Sequence, residues 1–331
     1  MNYRAKMAAK FNPTGAMNIV IVTPAPAGSR HGNRNTATRW AALLRELGHR
    51  VQVQVRWDGA PADVMIALHA RRSHDSVARY ALAFPGHPLV LVLTGTDLYR
   101  DIRHDVNAQE SMELASRMVV LQESGLKELA PSLRARTRAI YQSAPSVTPQ
   151  PPLRSCFEIV VSGHLREEKD PFRAAMALAH LPQKSRLRVT HVGGAMTPDM
   201  ARAARKWVER EPRYRWLGEL PHSQALRVLS RARLMVISSR MEGGANVVSE
   251  ALSAGVPVIA SHVSGNIGML GPRYAGYYPV ENERALARLL WRAESDSGFY
   301  SKLRSQCRAR RERVTPRRER AELKKLLSEA V

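Results

Sequence analysis

Residues 238–261 read S-S-R-M-E-G-G-A-N-V-V-S-E-A-L-S-A-G-V-P-V-I-A-S. This stretch contains the end of one apolar strand, a glycine pair, the start of a helix and a second apolar strand. Gly243 and Gly244 allow the backbone to turn sharply between strand and helix. The N–H groups of Asn246 and Val247 would then lie at a helix N-terminus, where the helix dipole favours phosphate. The stretch therefore predicts a strand–loop–helix–strand unit with an anion-binding loop.

The same alternation of apolar runs and helical spacing continues outward on both sides of this stretch. Short runs rich in β-branched residues recur, and each is followed by polar loop residues and a segment with helical spacing. Strands are predicted at 18–23, 51–55, 64–68, 89–93, 118–121, 159–162, 187–192, 234–238 and 256–260. This rhythm is typical of parallel sheets covered by helices, so the chain is predicted to be an α/β protein.

A proline-rich stretch divides the predicted strands into two series. Residues 144–152 read A-P-S-V-T-P-Q-P-P, which excludes a helix or a central strand and indicates a linker. With 331 residues, the chain is long enough for two domains. We expect a disordered extension over 1–16, a Rossmann-like domain over 17–148 and a second one over 149–284. Two such doubly wound domains that face each other leave a cleft at the carboxyl ends of their strands.

Composition limits the classes of protein to consider. The chain carries 51 Lys and Arg against 29 Asp and Glu, a net charge of +22, which indicates an anionic partner. A hydrophobic fraction of 44% argues against a largely disordered chain. Cys156 and Cys307 form no CxxC pair, so neither a zinc site nor a disulfide framework is indicated, and a cytoplasmic location is expected. No apolar run approaches the roughly 20 residues of a spanning helix, so no stable membrane insertion is expected.

The 238–261 stretch resembles the retaining family-4 nucleotide-sugar glycosyltransferases of GT-B fold. Their mark is a pair of glutamates with seven residues between them, within E-G-x-x-N-x-x-x-E-A-x-A-x-G-x-P-V. The resemblance implies that Glu242 contacts the donor sugar and that Glu250 binds the ribose hydroxyls. It also implies that the C-terminal helices, 285–331, cross back to the first domain. The donor site would further include Gly243, Gly244, Ala245, Asn246 and Val247.

A second segment, S-G-H-L-R-E-E-K-D-P at 162–171, is similar to the family's G-R-L-x-x-x-K. In the family, the Arg and Lys of this motif neutralise the diphosphate of the leaving nucleotide. Lys169 matches the Lys, whereas His164 stands in place of the Arg. Arg166 could supply the missing charge, and a solvated loop arginine is the alternative. Two glycines complete the implied donor site: Gly163 in this segment and Gly218 in W-L-G-E-L at 216–220.

The residues at 264–266, S-G-N, stand where the family has a Gly-Gly pair near the sugar. The replacement predicts a reshaped donor pocket. No D-x-D occurs in the chain, so the metal-chelating route of the other large glycosyltransferase fold has no ligands here. We expect no metal and no cofactor, and the charge of the leaving group should fall on Lys169 and helix dipoles.

In the first domain, residues 28–34 read G-S-R-H-G-N-R and lead into a helix. Glycines, small polar side chains and two arginines before a helix N-terminus are typical of an anion cradle. The alternative is a surface loop whose arginines are solvated. The family uses this loop to contact donor phosphate and acceptor, which implies four acceptor-binding residues: Arg30, Gly32, Asn33 and Arg34.

Two strand ends of the first domain carry further candidates. His69 follows the strand at 64–68, and L-T-G-T-D at 93–97 ends the next strand. Both resemble family segments on the acceptor side, where His69 or Asp97 would position or deprotonate an acceptor. The alternatives are a structural histidine and a helix-capping aspartate. The acceptor-side set is completed by Thr94 and Thr96.

Over most of its length, the chain is most similar to the selenosugar synthases of selenoneine biosynthesis. The similarity is strongest at 24–40, 93–99 and 162–171. That family joins the selenium of selenophosphate to C1 of N-acetylglucosamine supplied as its UDP derivative, which implies a metal-independent hexosyltransferase forming a C–Se bond. Because the selenium is already a soft nucleophile, a cationic cradle is needed more than a strong base.

Two other functions stay open at the level of the sequence. One is a family-4 glycosyltransferase with a hydroxyl or lipid-linked acceptor, whose basic surface would rest on an anionic membrane. The other is a nucleic-acid-binding protein, suggested by 302–325, where eleven Lys and Arg oppose three Glu. No aromatic residues interleave with that run, so we expect no nucleic-acid partner.

Overall fold

The structure is a computed structural model and describes residues 15–29 and 32–330. Most of the expected N-terminal extension, 1–14, lies outside the described residues. The chain divides into two compact units. The first runs to Ile140 and includes the chain from Glu319 onward, and the second is Tyr141–Arg318. Each contains one six-stranded sheet. Both sheets are parallel, as the sequence predicts.

The first sheet has the strand order β2-β1-β3-β4-β5-β6. All its pairs are parallel, and β1 lies between its two neighbours with Ile19 opposite both Val51 and Val64. The order reverses between β1 and β3, which makes this the topological switch point where open α/β sheets bind ligands. The strands are β1 (Asn18–Val22), β2 (Arg50–Gln54), β3 (Val64–Leu68), β4 (Leu89–Leu93), β5 (Arg117–Val120) and β6 (Thr137–Ala139).

The second sheet has the order β12-β11-β10-β7-β8-β9, again with parallel pairs only. Here the order reverses between β7 and β10, so the loops that follow these two strands flank the switch point. The strands are β7 (Phe157–Ser162), β8 (Leu187–Val192), β9 (Tyr214–Trp216), β10 (Leu234–Ile237), β11 (Val258–Ser261) and β12 (Tyr277–Tyr278).

Helices connect the strands in both units. Short 3₁₀ turns lie at Glu123–Glu128, Glu167–Lys169 and Arg311–Val314, and a π-helical turn lies at Asp97–Asp101. The α-helices are α1 (Gly32–Glu46), α2 (His74–Ala83), α3 (Ile102–His104), α4 (Val106–Leu114), α5 (Pro131–Arg134), α6 (Arg173–Leu178), α7 (Pro198–Arg210), α8 (His222–Arg231), α9 (Asn246–Ala254), α10 (Ser264–Leu270), α11 (Glu283–Ser295), α12 (Ser297–Arg308) and α13 (Pro316–Ala330).

The central strands read as continuous apolar runs because helices cover both faces of the sheet. Every residue of V-M-I-A-L in β3 and of L-V-L-V-L in β4 is buried. Trp40 of α1 anchors the core on one face of the first sheet, and Tyr80 of α2 anchors the core on the other. The strands therefore form a rigid frame from which the loops project.

The C-terminal segment, 285–331, is divided between the two units. Leu286 and Leu303 of α11 and α12 are buried in the core of the second unit. From Glu319 onward, α13 belongs to the first unit, where Leu323 joins the core around Trp40. The buried Glu319 carboxylate accepts hydrogen bonds from Trp40 Nε1 at 2.7 Å and Arg39 Nε at 2.9 Å. This pairing holds α13 against α1.

Three strands escape prediction from the sequence: β6, β9 and β12. They contain two or three residues each, and each lies at or beside the end of a sheet. Such strands need no continuous apolar run, because they are covered less completely than central ones. The predicted strand at 256–260 begins at Val258 instead, since Pro257 has no N–H to give to the sheet.

Candidate active site

Two loops meet at the switch point of the second sheet. β7 and β10 are neighbours, so the loops that follow them leave the same edge of the sheet side by side. Lys169 ends the 3₁₀ turn after β7, and Glu242 lies in the loop after β10. Lys169 Nζ donates to Glu242 Oε1. The two residues that the sequence singled out are thus in contact where the topology places a ligand.

A chain of buried hydrogen bonds fixes the Glu242 carboxylate. Ser239 Oγ donates to Glu242 Oε1 at 2.5 Å, and the Glu242 side chain is 7% exposed. The Ser239 carbonyl accepts from Ser261 Oγ at 2.6 Å, and the Ser261 carbonyl accepts from Asn266 Nδ2 at 2.9 Å. Sequence reasoning missed Ser239 and Ser261, although both directly follow or end an apolar strand run.

Helix α10 approaches Glu242 at a glycine. A Cβ added to Gly265 would lie 1.9 Å from the Glu242 carbonyl oxygen and 2.8 Å from the Glu242 Cβ. No side chain larger than hydrogen fits there without displacement of one backbone segment. The S-G-N sequence at 264–266 replaces the family's glycine pair. Gly265 still allows the α10 backbone to approach the Glu242 backbone closely, and Asn266 donates to the Ser261 carbonyl.

The Lys169 loop is anchored from the other side. Ser238 Oγ donates to the carbonyl oxygens of Lys169 at 3.0 Å and Asp170 at 2.8 Å. Asp170 adopts a left-handed conformation, with φ of 44°, and its carboxylate pairs with Arg173 Nε at 2.7 Å. The Lys169 side chain remains 23% exposed, so its ammonium stays within reach of a ligand.

A pocket lies between these loops and β8. Its lining includes Gly163, His164, Lys169, Glu242 and Val247. His164, which stands in place of the family's arginine, is half-buried there. Arg166 is exposed, 4.0 Å from the Glu168 carboxylate, and does not line the pocket.

His191 lines this pocket as a neutral side chain. Burial lowers the pKa of His191 to about 4. His191 Nε2 lies 3.3 Å from the Gly163 carbonyl, to which it must donate, so Nδ1 accepts from Tyr214 Oη at 2.9 Å. His191 therefore positions the backbone of Gly163. The sequence signalled this position only through the H-V-G-G match at 191–194.

Glycines permit the tight backbone packing beside His191. Gly193 has φ of 154°, and a Cβ there would lie 1.9 Å from the Gly163 carbonyl oxygen. Gly218 has φ of 68° and accepts a hydrogen bond from Gly193 N at 2.8 Å. Gly163 and Gly218, both predicted donor-site residues, thus shape the loops at the carboxyl edge of the sheet.

The N-terminus of α9 faces the same pocket. Gly243, Gly244 and Ala245 are buried before it, and Gln142 Nε2 donates to the Gly244 carbonyl at 2.6 Å. The N-cap residue, Ala245, has no side-chain oxygen with which to cap the helix. The first turn, which begins at Asn246, therefore presents its positive dipole end toward an anion.

Glu250 lies one turn further along α9 than Asn246. Glu250 Oε1 lies 2.8 Å from Nε2 of His222, the first residue of α8. The hydrogen bond to Glu250 raises the pKa of His222, although partial burial opposes the shift. Sequence reasoning missed His222, which lies 28 residues away and belongs to no motif.

In the first unit, His69 is held in a neutral state. It is buried, with a left-handed backbone at φ of 77°. Burial lowers the pKa of His69, although the Asp97 carboxylate opposes the shift. Its Nδ1 accepts from Arg72 N at 3.3 Å, so Nε2 carries the proton and donates to Thr96 Oγ1 at 3.1 Å.

Asp97 is buried completely, and its carboxylate is occupied by backbone donors. It accepts from the N–H groups of Thr94 at 2.9 Å, Gly95 at 2.8 Å and Ala70 at 3.0 Å. These bonds join the loop after β4 to the loop after β3. The geometry therefore favours a structural role over the predicted role as a base.

The predicted cradle at 28–34 is described only in part. Arg30 lies outside the described residues. Gly32, Asn33 and Arg34 form the first turn of α1 rather than a loop before it, and the Gly32 carbonyl accepts from Thr36 Oγ1 at 3.0 Å. Asn33 and Arg34 are half-buried at this helix N-terminus.

Across residues 15–29 and 32–330, no group of three or more His, Cys, Asp or Glu side chains is placed to hold a metal ion. Within the same residues, no helix combines the length and the apolar composition needed to cross a membrane.

Residues 155–313 match the family model described as glycosyl transferases group 1. The matched residues lie within the second unit, Tyr141–Arg318. Among solved structures, HepE of Anabaena in complex with UDP and glucose is similar, with a TM-score of 0.75 and 17% identity over 94% of this chain and 99% of that one. Sucrose-phosphate synthase from Thermosynechococcus elongatus has a TM-score of 0.74 and 16% identity over 93% and 98%. A glycosyltransferase from Rickettsia africae has a TM-score of 0.70 and 12% identity over 95% and 98%.

These similarities confirm the predicted GT-B fold with its two parallel sheets. Within the second unit, the structure brings together Lys169, Glu242, Gly163, His164 and Val247 around one pocket. Glu250 shares helix α9 with Val247, and Arg166 is not among the residues that line the pocket.

Proposed function

We propose that this protein transfers N-acetylglucosamine from UDP-N-acetylglucosamine to the selenium of selenophosphate. The donor half rests on one observation above all: Lys169 and Glu242 meet at the switch point of a group 1 glycosyltransferase domain. The crystal structure of HepE, which has the same fold, contains UDP and glucose. The acceptor half is supported by the similarity of 24–40, 93–99 and 162–171 to selenosugar synthases.

Three groups of the second unit would bind different parts of the donor. Lys169 and the N-terminus of α9 would take the diphosphate, because an ammonium and a helix dipole both stabilise phosphate charge. Glu242 would hold the sugar, and Glu250 would hold the ribose hydroxyls. As UDP leaves, negative charge grows on its β-phosphate. Lys169 would exchange its bond to Glu242 for this phosphate, so the step needs no metal.

The reaction balances without an oxidant or reductant. Selenium attacks C1 of the sugar and forms the C–Se bond, while the C1–O bond to UDP breaks and its electron pair leaves with UDP. Water then cleaves the Se–P bond, which releases phosphate and the 1-seleno-sugar. Selenium needs no strong base, which agrees with the lowered pKa of His69 and the occupied carboxylate of Asp97. Arg34 and Arg30 would hold the phosphoryl group of selenophosphate.

We further propose a cytoplasmic location. Cys156 and Cys307 are both free and buried, and unpaired thiols fit a reducing compartment.

The test is to supply UDP-N-acetylglucosamine and selenophosphate and to identify the product by mass spectrometry. We expect a selenosugar, together with equal amounts of UDP and phosphate. UDP release that occurs only with a lipid or carbohydrate hydroxyl acceptor would overturn the proposed acceptor. Binding of labelled RNA or DNA at physiological salt, without any sugar transfer, would contradict the proposed enzymatic function.

Two variants test the division of labour. Lys169→Ala should raise KM for UDP-N-acetylglucosamine and lower kcat, with a combined loss in kcat/KM of about 100-fold or more. Lys184→Ala is the matched control, because the Lys184 ammonium lies over the ring of Trp291, 5.4 Å from its centre, and does not line the pocket. Arg34→Ala should raise KM for selenophosphate and leave KM for the donor unchanged. Equal losses for both substrates in both variants would contradict the division.

A further inference from the structure

His222 and Glu250 form a hydrogen-bonded pair at the rim of the second unit. His222 Nε2 lies 2.8 Å from Glu250 Oε1. The Glu250 side chain is 15% exposed, whereas the His222 side chain is 61% exposed. The carboxylate is therefore largely enclosed, and the imidazole holds it from the solvent side. Neither the sequence motifs nor the roles proposed above use His222.

We propose that His222 is a positioning residue, which orients Glu250 for the ribose hydroxyls and makes nucleotide affinity depend on pH. This inference rests on the proposed donor site. It adds a residue that acts through Glu250 without touching the nucleotide.

The hydrogen bond leaves Glu250 able to bind a sugar. A carboxylate has about four lone-pair positions, and His222 occupies one of them on Oε1. Oε2 and the second position on Oε1 remain for two hydroxyl donors. Because a glutamate side chain loses considerable rotamer entropy when it is fixed, a partner that fixes it beforehand improves binding.

The charges around His222 point to Glu250 as its partner. α8 packs against α9 and β7. Glu250 is the only charged residue of α9, and Glu158 of β7 is paired with Arg231 at the opposite end of α8, at 3.0 Å. Glu219 is the acidic residue on the segment before α8. The hydrogen bond to Glu250 is the main cause of the raised pKa of His222.

The sign of the pH dependence follows from the pair. Below its raised pKa, His222 is a cation that holds Glu250 through an ion pair. Above that pKa, the neutral ring keeps only a weaker N–H donor. The affinity for UDP relative to 2′,3′-dideoxy-UDP should therefore fall as the pH rises through the pKa of His222. The two nucleotides share the diphosphate and differ only in the hydroxyls that Glu250 would bind.

The experiment measures binding of UDP and of 2′,3′-dideoxy-UDP by isothermal titration calorimetry. His222→Ala should weaken UDP about threefold near pH 6, as expected for a partly exposed ion pair. It should not change the affinity for the dideoxy nucleotide, which offers Glu250 no hydroxyls. In His222→Gln, the ratio of the UDP affinity to the dideoxy-UDP affinity should no longer change between about pH 6 and about pH 9. His180→Ala, at an exposed histidine elsewhere in the unit, is the control.

The outcomes separate this inference from the proposed function. Unchanged UDP affinity in His222→Ala, or equal losses for both nucleotides, would overturn the positioning role. A wild-type preference for UDP over the dideoxy nucleotide that grows as the pH rises would overturn the proposed pH dependence. A wild-type protein that binds no UDP at all would instead overturn the proposed donor site.

Discussion

Replacement of Gly265 by alanine should remove most of the transferase activity, although it adds a single methyl group. The new Cβ would lie 1.9 Å from the Glu242 carbonyl oxygen, and contacts under 3.0 Å are essentially never observed for a Cβ. The two atoms must therefore separate by about 1.1 Å, from 1.9 Å to at least 3.0 Å. Because the obstacle is backbone, either α10 or the Glu242 loop must move.

A displacement of this size reaches the proposed catalytic group directly. A misplacement of about 1 Å costs about 100-fold in rate. We therefore expect kcat/KM for UDP-N-acetylglucosamine to fall about 100-fold in Gly265→Ala, measured as UDP release. Circular dichroism should show a folded protein, since the change is confined to the surroundings of one loop.

Gly255→Ala is the matched control. Gly255 ends α9 with φ of 73°, and a Cβ there would meet no atom within 4 Å. The substitution should cost about 1 kcal/mol of stability through backbone strain and leave kcat/KM unchanged. A Gly265→Ala protein with kcat/KM within twofold of the wild type, or an equal loss in Gly255→Ala, would refute the reasoning.

Two further predictions concern buried carboxylates of the first unit. Glu319→Ala should lower the free energy of unfolding by about 2 to 3 kcal/mol in urea titrations, because Trp40 Nε1 loses its buried acceptor; Glu322→Ala, at a partly exposed ion pair, should cost less than about 1 kcal/mol. An equal cost for both would contradict the role of Glu319 in holding α13. Asp97→Asn should cost about 2 kcal/mol of stability, because an amide offers one acceptor oxygen to three backbone donors. Asp97→Asn should leave the pH–rate profile unchanged. A large loss of kcat at unchanged stability would instead indicate that Asp97 acts as a base.

The sequence predicts the sheets well because their central strands are covered on both faces. Runs such as 64–68 and 89–93 stand out as unbroken apolar segments, and the structure confirms both. The short edge strands β6, β9 and β12 carry no such run, so pattern alone does not reveal them. Whether the sequence pattern reveals a strand therefore depends on the burial of the strand rather than on the intrinsic β-propensity of its residues.

The residues of the candidate site also differ in how far the sequence predicts them. The contact between Lys169 and Glu242 follows from topology, because each lies in a segment that follows one of two adjacent strands. The contributions of Ser239 and His222 depend on packing between segments that are distant in the sequence. For Asp97, the T-G-T-D pattern fits a base and a backbone acceptor equally, and only burial with three N–H donors distinguishes them.

The most direct test of the central claim is a crystal structure of the protein with UDP-N-acetylglucosamine. We predict that diphosphate oxygens lie within hydrogen-bond distance of Lys169 Nζ and the first N–H groups of α9, with the ribose on Glu250. A nucleotide bound elsewhere, with Lys169 still paired to Glu242, would contradict the proposed donor site.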